Sequence, residues 1–572
     1  MQSKLRLAPS EVRVERKGGY TYLRSPQTLA PYARCVTEWL VQWSDKAPER
    51  VFLAERKGEG WRKLSYRETY GAVRRIGQAL LERNLTPERP VAILSDNSVD
   101  HALLSLAAMH VGIPVAPVSP AYSLMSKDFG KLKQIFELLN PGLVFAADAK
   151  KFEGALAAVG AKSTSVDELL EVNPGSLQER EHLKLRPQTV AKILFTSGST
   201  GIPKGVVNTH AMLCANQQQL AQAWPFVEDR PPVVVDWLPW NHTFGGNHNF
   251  NLVLRNGGTL YVDAGKPVPG LVETTVKNLA EVAPTMYFNV PRGFDLLLPF
   301  LEKDEALRAN FFRDLDVLFY AAAALPQNLW DRLKKLGGDR LAMLSAWGST
   351  ETSPLATSVH FHMERPGVIG LPVAECELKL APSAGKLEVR VRGPNVMPGY
   401  YKRPDLTKAA FDEEGFYRIG DAVRFADADD PAKGIVFDGR VAEDFKLSTG
   451  TWVNAGAIRV KLIAAADPLV QDAVITGHDR NEIGALVFLS AAAKDLPPEG
   501  LRSRLGDALK KLAKDGGSST RPTRLLVMAE PPSIDANEIT DKGYMNQRAV
   551  LERRAALVEK LYAGGAEVIT AS

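Results

Sequence analysis

The sequence predicts an α/β protein in two parts: a large N-terminal part of mixed sheets with helices and a β-rich subdomain, and a small α+β C-terminal part. Three observations lead there. The chain has 572 residues, more than one hydrophobic core usually organises, so at least two domains are expected. Over residues 51–262, short β-branched runs alternate with amphipathic helical stretches, the pattern of parallel strands joined by crossover helices. Further on, GKLEVRVRG alternates apolar and polar residues with period two, as an antiparallel strand does.

Taken in order, PVAILSDN reads as a strand, SVDHALLSLAAMHVG as a helix and IPVAPVSP as the next strand. Similar alternation continues through residues 317–324, LAMLSAWG and the Gly/Pro-punctuated stretch 367–399. After GIVFDGR a second unit begins, with strand-like DAVITGHD and GALVFLS and a Lys-rich helix around LGDALKKLAKD. The boundary is placed within 438–444, giving domains 1–438 and 439–572. No internal repeat and no low-complexity segment interrupts this plan.

Composition narrows the function classes. Hydrophobic residues make up 45% and charged residues 24%, with a formal net charge of +4, an ordinary globular balance without the clustered basic face of a nucleic-acid binder. Cys35, Cys214 and Cys376 are too few and too scattered for a disulfide framework or a metal site. The opening MQSKLRLAPSEVRVERKGG has no apolar stretch of signal-peptide type, and no run is long enough to span a bilayer. A cytoplasmic protein with a small-molecule partner, and neither nucleic acid nor membrane, is expected. Composition does not address oligomeric state.

The most informative segment is AKILFTSGSTGIPKGVVNTH. An apolar strand ends in Thr196, Ser197, Gly198, Ser199, Thr200 and Gly201, followed by Lys204 and then an amphipathic helical stretch. Glycines let consecutive N–H groups turn inward on an anion, hydroxyls add donors, and Lys204 adds a mobile positive charge. The chemistry asked for is polyphosphate binding. It is not a Walker A loop, because Pro203 precedes Lys204 and Gly205 follows it, where that motif needs Gly-Lys and then Ser or Thr. The plain alternative, a flexible surface turn, has no need of a strand, a hydroxyl run and a lysine in this order.

With those residues in view, TSGSTGIPKG resembles the signature loop of the adenylate-forming superfamily, which takes in acyl-CoA synthetases, peptide-synthetase adenylation domains and luciferases. Other motifs follow in the family's order. Trp347-Gly348-Ser349-Thr350-Glu351-Thr352 is similar to the family's Tyr-Gly-x-Thr-Glu segment. The resemblance implies that Trp347 and Gly348 meet adenine, Thr350 meets phosphate and Glu351 holds Mg²⁺, a role suited to a hard oxygen ligand. Asp421 in YRIGDAV resembles the ribose-binding Asp, and Arg440 the ribose-contacting Arg at the domain hinge. Ile419 stands where the family usually has Thr or Ser. The run from Ala321 to Leu325 occupies the place of the family's Gly-Gly-Ala-Pro-Leu, which assigns Ala322 and Ala323 to the adenine wall; tight core packing is the alternative.

The family's catalytic lysine follows a Gly, whereas this chain reads ANEITDKGYMNQRAVL, with Lys542 before Gly543. Strict register puts Tyr544 at the lysine's place, and a two-residue shift puts Lys542 there. Lys542 is the choice, because a phenol cannot supply the cation that neutralises a carboxylate attacking an α-phosphate; a solvated surface lysine is the alternative. By resemblance the smaller domain rotates between half-reactions about 439–444, where Ala442 replaces the usual Asp or Lys and leaves the hinge without its charge partner.

His360-Phe361-His362 sets two imidazoles on one strand face, with no companions evident to complete a metal shell. His242, in PWNHTFGGNHNF, matches the family's aromatic or histidine gate beside the acyl pocket, and Trp240 and Phe244, with Trp237 and Phe250, are the candidates for a flat apolar slot. GRVAEDFKLSTGTWV, SAWGSTETSPLAT, ITDKGYMNQRAVLERR and the N-terminal stretch together resemble bacterial feruloyl-CoA synthetases over nearly the whole chain. That likeness implies ATP, Mg²⁺ and coenzyme A as substrates, an acyl-adenylate intermediate, release of AMP and pyrophosphate, and ferulate or p-coumarate as the acid. Ligases of other aromatic or fatty acids are the near alternative. A catalytically retired nucleotide- or acyl-binding protein is the alternative of another class. A carrier-loading module is disfavoured for want of a carrier-like segment at either end.

Overall fold

The computed structural model describes residues 5–197, 202–383, 385–493, 496–514, 517, 519–541 and 543–571. The strand, helix and strand read from residues 90–120 are present as Val91–Leu94, Val99–His110 and Val115–Val118. Ser98 starts the helix, its side chain accepting from the His101 amide at 3.0 Å. Every residue of the two strands is buried, which is why they read as unbroken apolar runs. They pair in parallel within a five-stranded sheet ordered Leu143–Ala146, Val91–Leu94, Val115–Val118, Val190–Ser197, Pro203–Thr209. Its last strand runs antiparallel to its neighbour.

A four-stranded sheet is ordered Val233–Asp236, Thr259–Val262, Val51–Lys57, Gly60–Ser65. The third sheet has 11 strands. It begins in parallel with Met286–Asn289, Val317–Tyr320 and Ala342–Gly348, then turns antiparallel at Leu355–Ser358. The period-two segment is its strand Lys386–Arg392, antiparallel to Glu377–Ser383, with Val391 opposite Leu378 and Val389 opposite Leu380, all buried. Ile435–Arg440 also belongs to this sheet.

The main core gathers buried side chains from Leu23 to Ile435, and a separate core runs from Phe445 to Ile569. The second surrounds a four-stranded sheet ordered Val470–Thr476, Ile483–Leu489, Pro522–Val527, Ile569–Thr570, with helices Ala455–Ala465 and Pro498–Lys514 packed on it. Lys386 spans the junction, donating to the Asp438 carbonyl at 2.7 Å and pairing with Asp444. Asp444, two residues after Ala442, thus places a paired charge at this junction. A second junction is made by Ile534, buried among Leu94, Val118, Tyr122, Leu132, Ile193 and Phe195, and by Asp535, which accepts from Ser126 Oγ at 2.7 Å and from the Lys127 amide at 3.0 Å. Among the described residues no helix is long and apolar enough to cross a membrane.

Burial holds several imidazoles neutral. His110 and His210 are pushed down to about 3, and His101 and His248 to about 4, from the ordinary 6.5. In the unfolded chain each takes up a proton below about 6.5, so the stability they lend is complete above that pH and is lost as pH falls, by about 1.4 kcal/mol per pH unit for each imidazole. Asp236, pushed up to about 7 by burial, and Asp263, Asp421, Glu443 and Asp444, pushed up likewise, oppose this, but they are fewer than the imidazoles once His182 and His360, which burial also lowers, are counted. The urea midpoint is therefore expected to fall on going from pH 7 to pH 5; an unchanged midpoint would contradict neutral burial of the histidines.

Candidate functional site

Thr196 lies opposite Lys204 and Ser197 opposite Pro203, so the Thr/Ser/Gly loop joins two antiparallel strands. This corrects the expectation that a helical stretch follows Lys204 directly: Lys204 is on the strand Pro203–Thr209, and the helix His210–Ala223 starts only at its far end, where the Thr209 hydroxyl accepts from the Met212 amide. The β-branched run Val206, Val207 and Thr209 favours a strand. Gly205 lets it lie close, since a Cβ there would stand 2.9 Å from Ile193 Cγ2 and 3.3 Å from Tyr401 Cβ. The Tyr401 amide donates to the Gly205 carbonyl at 2.7 Å. Gly198, Ser199, Thr200 and Gly201 lie outside the described residues.

Half-buried Lys204 holds its Nζ 5.3 Å from the centre of the Tyr400 ring, and the Tyr400 hydroxyl donates to Glu351 Oε1 at 3.1 Å. Burial and the Glu351 carboxylate both push the Tyr400 phenol up, so it stays a neutral donor. Tyr400 therefore bridges two residues assigned separately from sequence. Nothing local in GYY marks it; only the pairing of Val206 with Tyr400 brings it in. Ile419 packs against Val206, Met397, Tyr400 and Tyr417, so an apolar side chain fills the place where a hydroxyl is usual.

At the end of strand Ala342–Gly348, a Cβ on Gly348 would stand 1.7 Å from the Pro354 carbonyl oxygen, so only glycine fits. The short 3₁₀ turn Thr350–Thr352 follows, with Thr350 and Glu351 buried and the Glu351 carbonyl accepting from the Met397 amide at 2.8 Å. The Trp347 indole donates to Asp421 Oδ2 at 2.9 Å. Arg440, on the strand paired with that of Asp421, brings Nε to 3.5 Å from Oδ1. Asp421 Oδ1 and Ser349 Oγ are buried without a hydrogen-bond partner among the described residues. Burial pushes the Asp421 carboxyl up, against Arg440 and the indole, which pull it down. Ala322 and Ala323 are exposed at the open end of strand Val317–Tyr320, which removes the core-packing alternative, and Ala322 adopts a left-handed φ of +74°.

Around the expected acyl pocket, Asn97 clamps the chain, donating to the Leu238 carbonyl and accepting from the Trp240 amide, both at 2.9 Å. Trp240 packs edge-on against His101 and Phe250, and both Trp240 and Phe250 are 4% exposed. That leaves Phe244 and Trp237 as the aromatic faces with open surface. Phe244 begins the π-helical turn Phe244–Asn249, and Trp237 donates to Asn289 Oδ1 at 3.1 Å. Buried Lys192 donates to the Gly246 carbonyl of that turn at 2.7 Å, and burial lowers its amine to about 7. His242 Nε2 lies 3.3 Å from Asp541 Oδ2.

Lys542 lies outside the described residues. Among its neighbours the Thr540 amide donates to the Tyr544 carbonyl at 2.8 Å and the Gly543 amide to the Thr540 carbonyl at 2.9 Å. Tyr544 lies beside Arg459 of the C-terminal unit, its phenol pushed up to about 12 by burial. His360 contacts the Ser358 carbonyl through Nδ1 at 3.0 Å, while His362 is exposed. Among the described residues no three His, Cys, Asp or Glu gather to hold a metal.

Two sheets thus meet at a cluster of charged and aromatic groups. The chain belongs to the AMP-binding enzymes, matching that family over residues 40–401 and the family's C-terminal domain over residues 444–566. Adenylate-forming enzymes use ATP, Mg²⁺ and, in the ligases, coenzyme A as substrates. The chain is 24% identical to the carboxylic acid reductase of Mycobacterium marinum, over 87% of this chain and 46% of that protein. It is 32% identical to a long-chain-fatty-acid–CoA ligase of Escherichia coli O6:H1, over 42% of this chain and 45% of that protein. The chain spans about half the length of these curated relatives. Its fold is shared with an anthranilate CoA ligase solved in complex with anthranoyl-AMP, at a TM-score of 0.74 and 18% identity, covering 93% of this chain and 99% of that one.

Two substitutions read this geometry. Tyr400→Phe is expected to slow acid-dependent ATP–pyrophosphate exchange about tenfold, the scale of one hydrogen bond to a charged group; exchange at the wild-type rate would remove the bridge from the site. Ala322→Gly relieves a left-handed alanine and is expected to raise the unfolding free energy by about 1 kcal/mol in urea titrations.

Proposed function

We propose that the chain is an ATP-dependent acid-thiol ligase that forms feruloyl-CoA, and related hydroxycinnamoyl-CoA thioesters, through an acyl-adenylate. The observation that carries this reading is the meeting of Lys204, Tyr400 and Glu351 on one side with Trp347, Asp421 and Arg440 on the other. Asp421 Oδ1, which faces Arg440 but takes no hydrogen bond among the described residues, is what a ribose hydroxyl would satisfy.

A carboxylate is a poor acyl donor because its leaving group is oxide. Attack of its oxygen on the α-phosphorus of ATP forms a mixed anhydride with AMP and expels pyrophosphate; a thiol then attacks the acyl carbon and AMP departs. The protein's part is to align the reactants and stabilise charge. In this reading Trp347, Gly348, Ala322 and Ala323 bound the adenine, and Asp421 and Arg440 take the ribose. Residues 196–201 with Lys204 and Thr350 hold the phosphates, and Glu351 takes Mg²⁺ along with them. Lys542 neutralises the attacking carboxylate. Support for Lys542 over Tyr544 comes from their neighbours, since Asp541 faces His242 of the large part whereas Tyr544 faces Arg459 of its own unit.

The division at 438–444 and rotation of residues 439–572 between half-reactions belong to the same proposal, supported by the two separate cores. For the acid, the support is the sequence resemblance and the open faces of Phe244 and Trp237 beside His242. A cytoplasmic location is in keeping with three buried free cysteines. A second reading, adenylation followed by delivery to a different acceptor, is favoured by the match to carboxylic acid reductases.

The test is AMP formation from Mg·ATP with ferulate, p-coumarate, benzoate and palmitate, with and without CoA, alongside pyrophosphate exchange. AMP formed from ferulate and p-coumarate only when CoA is present is the expected result. Exchange without CoA turnover would favour the second reading, and neither reaction would leave a retired binding protein. Lys542→Ala is expected to abolish exchange while sparing thioester formation from preformed feruloyl-adenylate, and unchanged exchange would refute its role.

A further inference from the structure

Asp541 is a buried carboxylate whose surroundings come from the other part of the chain. Its side chain is 3% exposed, and an ion so enclosed costs several kcal/mol unless it is paired. The pairing is with His242 Nε2 at 3.3 Å. Two further groups of the large part feel the same charge. Lys131, whose Nζ donates to the Ile534 carbonyl at 2.7 Å, has its ammonium lowered by burial and supported by Asp541, Asp535 and Asp128. The Tyr122 phenol is pushed up by burial and then by Asp541, so it stays neutral.

These contacts continue those of Ile534 and Asp535, so the segment 534–541 lies along the large part with Asp535 against Ser126 and the Lys127 amide, the Ile534 carbonyl against Lys131 and Asp541 against His242, while Glu538 between them pairs with Arg553 and Arg554 of its own unit. His242 in turn is adjacent to Asn241, whose Nδ2 is 3.3 Å from the ring, and is two residues from Phe244. One pair thus joins Asp541 of the C-terminal unit to the chain beside the expected acyl pocket. A contact that served only to pack two domains would not need a buried carboxylate, and apolar neighbours such as those of Ile534 do that work at less desolvation cost.

We propose that Asp541 is a positioning residue for adenylation, seating the segment 534–541 of the C-terminal unit on the large part through its pair with His242. The proposal rests on the adenylation half of the function read above, and on neither the identity of the acid nor that of the acceptor. In the seated arrangement the segment 534–541 is fixed relative to the acyl pocket. When the C-terminal unit rotates, the pair must break and its two members must be rehydrated.

The experiment is acid-dependent ATP–pyrophosphate exchange, which needs no CoA, on the full chain with Asp541→Asn, Asp541→Glu, His242→Gln and the double variant Asp541→Asn/His242→Gln. Thermal midpoints check folding. The asparagine variant, matched in shape but uncharged, is expected to keep its midpoint and its KM for ATP while kcat falls at least tenfold, and Asp541→Glu is expected to recover part of that loss. Because one interaction is removed from either side, the double variant should lose far less than the product of the two single losses. Losses that multiply, or an asparagine variant exchanging at the wild-type rate, overturn the seat. If the wild-type protein shows no exchange with any of the acids, the adenylation reading itself fails and this proposal falls with it; wild-type exchange left undiminished by Asp541→Asn overturns the seat alone.

Discussion

At Gly205 the hairpin backbone approaches the backbone of Tyr401 closely enough for an amide-to-carbonyl bond of 2.7 Å, and the geometry of the site follows from that contact. It ties the five-stranded sheet to the segment leading into the strand Tyr417–Phe425 of the larger sheet. Lys204, one residue before the contact, thereby faces Tyr400, one residue before its partner. A side chain at 205 would push the strands apart against Ile193 and Tyr401. The bridge from Lys204 through Tyr400 to Glu351 would lengthen with them.

The second half of the site is built by strand pairing within the large sheet. Asp421 and Arg440 are cross-strand partners, and Trp347 reaches Asp421 with its indole N–H. The two acidic residues of the site, Glu351 and Asp421, are both buried, and each has a neutral donor supplied by an aromatic side chain, Tyr400 for one and Trp347 for the other. Hydrogen bonds of this kind offset part of the cost of burying a carboxylate while leaving it acceptor capacity.

Much of this was legible in the sequence, and the limits have physical causes. Unbroken apolar runs mark the parallel strands because both of their faces are covered, and period two marks Lys386–Arg392 because its buried residues alternate. Motif order singled out Trp347, Glu351, Asp421 and Arg440, and the structure puts Trp347 and Arg440 against Asp421. The strand Pro203–Thr209 was not legible, because Gly205 and Asn208 interrupt its β-branched run and its partner is the strand across the loop. Tyr400, the pair of Asp541 with His242, and the pair of Lys386 with Asp444 depend on contacts between segments far apart in the chain, for which no local spacing leaves a signature.

The 11-stranded sheet changes direction between Ala342–Gly348 and Leu355–Ser358, and the segment that makes the change also carries Thr350 and Glu351. Its ends are pinned by the pairing of Trp347 with Thr357 and by the Pro354 carbonyl lying against Gly348. A residue inserted or deleted there would shift the register of one half of the sheet relative to the other, so the length of this turn is closed to variation among descendants of the chain. Exposed connections such as residues 428–430 carry no such linkage, and it is there that length can drift without disturbing what the turn holds.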